Sequence, residues 1–313
     1  MKGLELSRAF YEKYGAPMLN EKFSHVAHLI AVGLAGSGSE CLGYDDAWSR
    51  DHDFEPGFCL FLPDEETVDR QTAFALERAY AKLPMEFMGY KRTPLSPVGG
   101  NRHGVIRMAD FFLEKTGRED GVLSLREWFF VPEQALAEAT GGEVFRDDLG
   151  LFTQIRKGLS YLPEAVRRKK LAGHLALMGQ AGEYNYKRCV ARGETAAAVL
   201  AVGEFVKSAL HAAFLLDKHY LPYYKWSFRA LKDLPTLSFL HDPLSRLLLL
   251  DGTAETVREK EGLISDVCKA VTDAVVAQGL SRFEGEAMDG HARAVNDTIT
   301  DHTLRNLHLL YGI

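Results

Sequence analysis

The stretch "LIAVGLAGSGSECLGYDDAWSRDHDFEPGFCLFL", residues 29–62, limits most tightly how this chain folds. An apolar run (29–35), a loop rich in glycine and serine, and a second apolar run (58–62) follow one another closely. Short, near-continuous apolar runs bounded by turn residues fit strands buried on both faces. The linking segment carries Asp45, Asp46, Asp51 and Asp53, more acid and more glycine than a plain turn requires.

Known phosphate and nucleophile motifs can be tested against this segment. A Walker loop needs Lys-Ser/Thr after its last glycine, and "GSGSECLG" has none. A dinucleotide fingerprint needs glycine where Cys41 stands. A nucleophile elbow needs glycines two residues either side of its serine, and around Ser37 and Ser39 those places are not both glycine. A fourth arrangement fits. Backbone N–H groups at Gly38-Ser39 and the Ser39 hydroxyl suit a triphosphate. Asp51 and Asp53, two residues apart at a strand entry, point to one face and present paired hard-oxygen ligands for magnesium or manganese. That is the chemistry of nucleotidyl transfer.

The Gly-Ser, spacer and Asp-x-Asp pattern resembles the nucleotidyltransferase superfamily, with Arg50 standing where its members often carry Asp. More specifically, "GSECLGYDDAWSRDHDFEPGF", "GGEVFRDDLGLFTQIRKGL", "ALMGQAGEYNYKRCVARGE" and "YLPYYKWSFRAL" resemble the bacterial family catalogued as domain of unknown function 4037. The resemblance implies a nucleotidyltransferase-like sheet domain with a helical C-terminal domain, and no particular substrate. It also implies a third carboxylate on a neighbouring strand. Glu127 in "VLSLREW" is the candidate, because Leu123, Leu125 and Glu127 alternate to one face of a strand; Asp110 is its rival. In "GEYNYKRCVARG", Tyr184, Tyr186, Lys187, Arg188 and Arg192 are candidates for a base-stacking and phosphate-contacting wall, with Lys187 and Arg188 as the nucleotide-binding cations.

The rest of the chain fits an α+β protein in two parts. Helices are expected over 4–14 and 20–28, strands over 85–91 and 104–108, and a long helix capped by Asp64 that ends near Leu83. Ala109–Lys115 reads as a short helix stopped by Gly117. From Pro132 onward helical periodicity dominates, so the expected domains are 1–131, catalytic, and 132–313, a helical bundle. "RRKK" (167–170) reads as a solvated basic face, Asp45 and Asp46 as surface turn residues, and Glu204, Lys207 and His211 as a stripe facing water.

A net charge of −6 in 313 residues gives no global basic field for nucleic acid or an anionic membrane. The four cysteines form no CxxC pair, and the start lacks a signal-peptide core, so a cytoplasmic location is expected. The apolar run 196–216 contains Glu204, Lys207 and His211 and makes a poor membrane span. The expected partners are therefore a nucleoside triphosphate and an acceptor of unknown kind. Two other readings stay open: a nucleotide-binding protein of this fold without turnover, and a helical protein that docks a partner.

Overall fold

The computed structural model describes residues 1–50, 54–94 and 102–313, and the chain separates into two compact units. The first comprises 1–124 and 131–160; the second comprises 125–130 and 161–313. The architecture is α+β, as the sequence implies.

The first unit is built on a four-stranded mixed sheet, order β5-β2-β1-β6. Its strands are β1 (Ala31–Leu34), β2 (Cys59–Leu62), β5 (Gly104–Arg107) and β6 (Glu143–Arg146). β1 runs antiparallel to β2 and β6, and β2 runs parallel to β5. Every residue of β1 and β2 is buried, because helices cover both faces. On one face Phe58, Leu60 and Leu62 join Leu6, Phe10, Leu76 and Tyr80 in a single apolar cluster. The Tyr80 hydroxyl reaches into it, donating to the Phe58 carbonyl at 2.8 Å and accepting the Phe58 N–H at 3.0 Å. Phe61 points to the other face and stacks on Phe152 with ring centres 4.0 Å apart.

Several local expectations are corrected. The strand expected over 85–91 is a small hairpin, β3 (Glu86–Phe87) and β4 (Tyr90–Lys91). Met88 and Gly89 turn it with φ of 52° and 84°, the positive pair that a tight two-residue hairpin turn requires. Asp64 closes a turn by accepting from Thr67, and Asp69 caps the helix Arg70–Ala81 by accepting the Thr72 N–H at 2.7 Å. Helix Met108–Thr116 ends as expected, with Gly117 at φ 76°. The first helical stretch, Gly3–Phe10, passes through a π-helical turn (Tyr11–Gly15) into Ala16–Lys22. β6 lies inside the stretch expected to be helical, so the sheet unit extends past residue 131 to 160. Asp45 is buried: its carboxylate accepts the Gly3 N–H at 2.8 Å and pairs with Lys2, anchoring the first helix.

The second unit packs helices Glu164–Met178, Thr195–Leu216, Ala254–Ala277 and Met288–Asp297 around a common core. Thr195–Leu216 is long and apolar enough to cross a membrane, but most of its apolar stretch is buried against its neighbours, as a core helix is. "RRKK" is not a solvated face: Arg167, Lys169 and Lys170 are buried. Lys169 Nζ donates to the Asn296 side chain at 2.8 Å and to the Leu307 carbonyl at 2.7 Å, tying the last segment to the helical core. Glu164, at the start of the same helix, is held at about 2 chiefly by hydrogen bonds from Arg167. Glu204 and Lys207 face solvent, whereas the His211 ring stacks on His174 at 4.3 Å.

Candidate functional site

Strand register gathers the site at one end of the sheet. β1 ends at Leu34, which pairs with Glu143, the first residue of β6. Gly33 pairs with Cys59 and Cys59 with Gly104, so the segments entering β2 and β5 reach the same end. The loop 35–44, residues 54–58, Arg102-His103 and Gly141-Gly142 therefore meet there. Asp51 and Asp53 lie outside the described residues, between the short helical turn Trp48–Arg50 and Phe54.

The loop is shaped by its glycines. Gly36 and Gly38 take φ of 114° and 132°, which strains any other L residue. Arg102 Nη2 donates to the Ser37 carbonyl at 2.6 Å and pairs with the buried Glu40 carboxylate. A guanidinium thus lies directly against the Gly38-Ser39 backbone. Tyr44 N–H returns to the Ser39 carbonyl at 2.8 Å and Gly142 N–H to the Cys41 carbonyl at 2.7 Å, closing the loop onto the sheet.

The segment leading into β2 is braced separately. The Cys59 thiol donates to the Arg102 carbonyl at 3.2 Å. His103 Nδ1 lies 3.2 Å from the Glu55 carboxylate, whose other oxygen accepts the Thr93 N–H. Burial pushes the Glu55 carboxyl up, but the hydrogen bonds from His103 and Thr93 outweigh it and hold Glu55 below the usual carboxylate range. Glu55 is therefore a fixed anion beside the chain that carries Asp53. Trp48, held by Asp46 through its N–H at 3.0 Å, is 86% exposed and offers a bare aromatic face.

Glu127 is not on a strand. It opens the four-residue helix Glu127–Phe130 in the second unit, so the alternation of Leu123, Leu125 and Glu127 never forms a pleated face. Asp110 lies in the first turn of Met108–Thr116, as a helix-start acid does. In the helical unit, Arg188 is exposed, with its guanidinium 4.5 Å from the Tyr184 ring centre. Tyr186 is buried in the core, and Lys187 borders a cavity with several carboxylates. Among the described residues no group of three or more His, Cys, Asp or Glu side chains is placed to hold a metal.

Arg102, Glu40, Glu55 and His103 belong to none of the candidate site residues that the sequence motifs pick out. "NRHG" immediately before a strand was the available signal, since parallel neighbouring strands bring their entries together.

Residues 128–227 match the family described as Domain of unknown function (DUF4037), the family that the sequence motifs resemble. The matched stretch begins after the Gly-Ser loop and the two aspartates. No curated protein and no solved structure matches the chain.

Proposed function

We propose that the chain is a nucleotidyltransferase-like enzyme that moves a nucleoside monophosphate from a nucleoside triphosphate to a hydroxyl-type acceptor. The observation that supports it best is the loop at the end of β1. There, the positive-φ Gly38 and the Ser37 carbonyl lie against the Arg102 guanidinium, next to Ser39 and ahead of Asp51 and Asp53 in the chain. Gly38 and Ser39 would hold the β- and γ-phosphates through backbone N–H groups and the Ser39 hydroxyl. Arg102 would supply positive charge beside them, a fork suited to phosphate oxygens. Asp51 and Asp53 are carboxylates of the type that holds magnesium with a triphosphate, and the ion would offset charge on the phosphoryl group. Glu40 keeps Arg102 aimed at the loop.

A reading without turnover has its own support. The strand expected to present a third carboxylate is absent where Glu127 stands, and a sheet lacking that acid would bind a nucleotide without deprotonating an acceptor.

The test is a titration of ATP with and without magnesium, followed through Trp48 fluorescence in a Trp128→Phe/Trp226→Phe background, together with an assay for released pyrophosphate. A transferase gives saturable binding and pyrophosphate once the acceptor is supplied. Binding without pyrophosphate across a broad panel of hydroxyl acceptors selects the non-catalytic reading. No binding of ATP, GTP, CTP or UTP in either condition rejects both.

A further inference from the structure

The helical unit contains a cavity of about 620 Å³ that the nucleotide reading does not use. Its size is that of small-molecule sites. One wall is the π-helical turn Gly179–Tyr186, which carries Glu183 and leads directly into Lys187. Turns of this kind inside helices concentrate at functional sites. The opposite wall is one face of helix Ala254–Ala277, where Glu261, Ile264, Cys268 and Thr272 recur at helical spacing. A loop carrying Phe283 and Glu286 forms the third side. His291 pins that loop through both ring nitrogens, Nδ1 to Ser281 Oγ and Nε2 to the Gly285 carbonyl, each at 2.9 Å.

The charge of the lining selects the ligand. Four carboxylates, Glu183, Glu261, Asp273 and Glu286, meet two ammonium groups, Lys187 and Lys269. Lys269 is paired with Asp273 at 2.7 Å and feels the charge of Glu286 as well, and the lining as a whole carries more carboxylates than ammonium groups. A phosphate would enter against this negative wall, whereas a cation is drawn in. Glu183 points the same way. Burial holds its carboxyl above the usual carboxylate range, although the Met288 N–H and Lys187 both favour the charged form. An ammonium group delivered to the cavity would complete the compensation that these neighbours leave unfinished. Ile264 and the partly exposed Phe283 ring offer an apolar surface for methylenes between charged ends, and an aromatic face for a cation.

We propose that this cavity binds a small organic polyamine, with its ammonium groups at Glu183 and Glu261 and its carbon chain along Ile264 and Phe283. The site lies wholly within the helical unit and does not rest on the nucleotide reading. Lys187, expected as a phosphate contact, becomes the group that limits how many ammonium charges enter.

Calorimetric titration of the full chain with spermidine tests this, with diaminooctane and octanediol as probes that share a carbon chain and differ in charge. Spermidine and diaminooctane should bind saturably and octanediol should not. Glu183→Gln/Glu261→Gln should weaken both amines about tenfold or more, with a far-ultraviolet circular dichroism spectrum like that of the native chain. Glu66→Gln/Glu119→Gln removes the same charge from exposed positions outside the cavity and should change affinity little. Equal losses in both double variants would reduce the effect to general electrostatics and overturn the site. So would octanediol binding as well as diaminooctane, or no saturable amine binding at millimolar concentration. ATP binding that is weakened by Lys187→Ala and untouched by Glu183→Gln/Glu261→Gln would also overturn it, assigning the cavity to an anion.

Discussion

Gly38 and Arg102 are fitted to one another. A Cβ built on Gly38 would lie 2.0 Å from Arg102 Nη2 and 2.6 Å from the Glu40 carboxylate, so the guanidinium occupies the space that any side chain here would need. The backbone φ of 132° demands glycine independently. Gly38→Ala should therefore cost about 1–3 kcal/mol of stability from strain alone, measured by urea unfolding. It should also weaken ATP binding more than Ser39→Ala, which removes one hydrogen-bonding group worth about 0.5–1.5 kcal/mol. An alanine variant as stable as the native chain, with undiminished ATP affinity, would remove this loop from the site.

Asp51 and Asp53 carry the metal in the proposed chemistry. Magnesium with ATP should raise the melting temperature of the native chain, since a ligand that binds only the folded state adds about 2.7 kcal/mol at a hundredfold excess over its Kd. Asp51→Asn/Asp53→Asn should abolish the magnesium-dependent part of that rise. A double variant that keeps the full increment would send the metal elsewhere in the chain.

The parts legible in the sequence are those where one physical demand dominates. β1 and β2 show as apolar runs because burial on both faces leaves no room for polar side chains. β6 stayed hidden: all four of its residues are half-buried, it carries Glu143 and Arg146, and it sits at the sheet edge inside a helical stretch. "RRKK" misleads for the opposite reason. Charge in a sequence suggests water, and only the fold reveals the carbonyls of Arg305 and Leu307 that make a buried Lys169 affordable. Arg102 and Glu40 are 62 positions apart, and no local pattern announces such a pair.

Phe152 tests whether 131–160 is structurally part of the sheet unit. Its side chain is fully buried, stacked on Phe61 with planes 17° apart and packed near Phe111 and Phe112. Phe152→Ala should cost about 3–5 kcal/mol, the loss expected for a buried aromatic replaced by a cavity. A loss well below that range in urea unfolding would mean that the helix Leu151–Gly158 is only loosely held on β2.

Lys169 is the tie between the helix Glu164–Met178 and the last segment of the chain. Its three ammonium protons match three acceptors: the Asn296 side chain and the carbonyls of Arg305 and Leu307. Lys169→Met keeps the stem and removes the donors. Hydrogen bonds to a charged group are each worth about 1.5–3 kcal/mol, offset in part by the burial that holds the Lys169 pKa below its ordinary value, so stability should fall by less than three such bonds. Limited proteolysis should cut near 305–307 faster than in the native chain. Unchanged cleavage there would show that the apolar contacts of the segment hold it without Lys169.

His174 gives the helical unit a pH limit. Its ring is buried and stacked 2° from parallel with His211, and its Nδ1 makes no hydrogen bond. Burial, then the neighbouring His211, Lys170 and Lys207, hold its pKa well below the ordinary 6.5. The folded state therefore keeps His174 neutral, while the unfolded chain takes up a proton near the ordinary value. Stability from this group is fully present above about pH 6.5 and falls as pH drops below it, by about 1.4 kcal/mol per pH unit. It continues to fall until the folded-state pKa is reached. His174→Leu removes the titration and supplies an apolar group in the same space, so its stability should depend less steeply on pH between about 7 and 5. Urea midpoints at a series of pH values measure both slopes. Parallel slopes in the native chain and the variant would show that the buried stack does not set the acid limit, and His211 would be the next ring to replace.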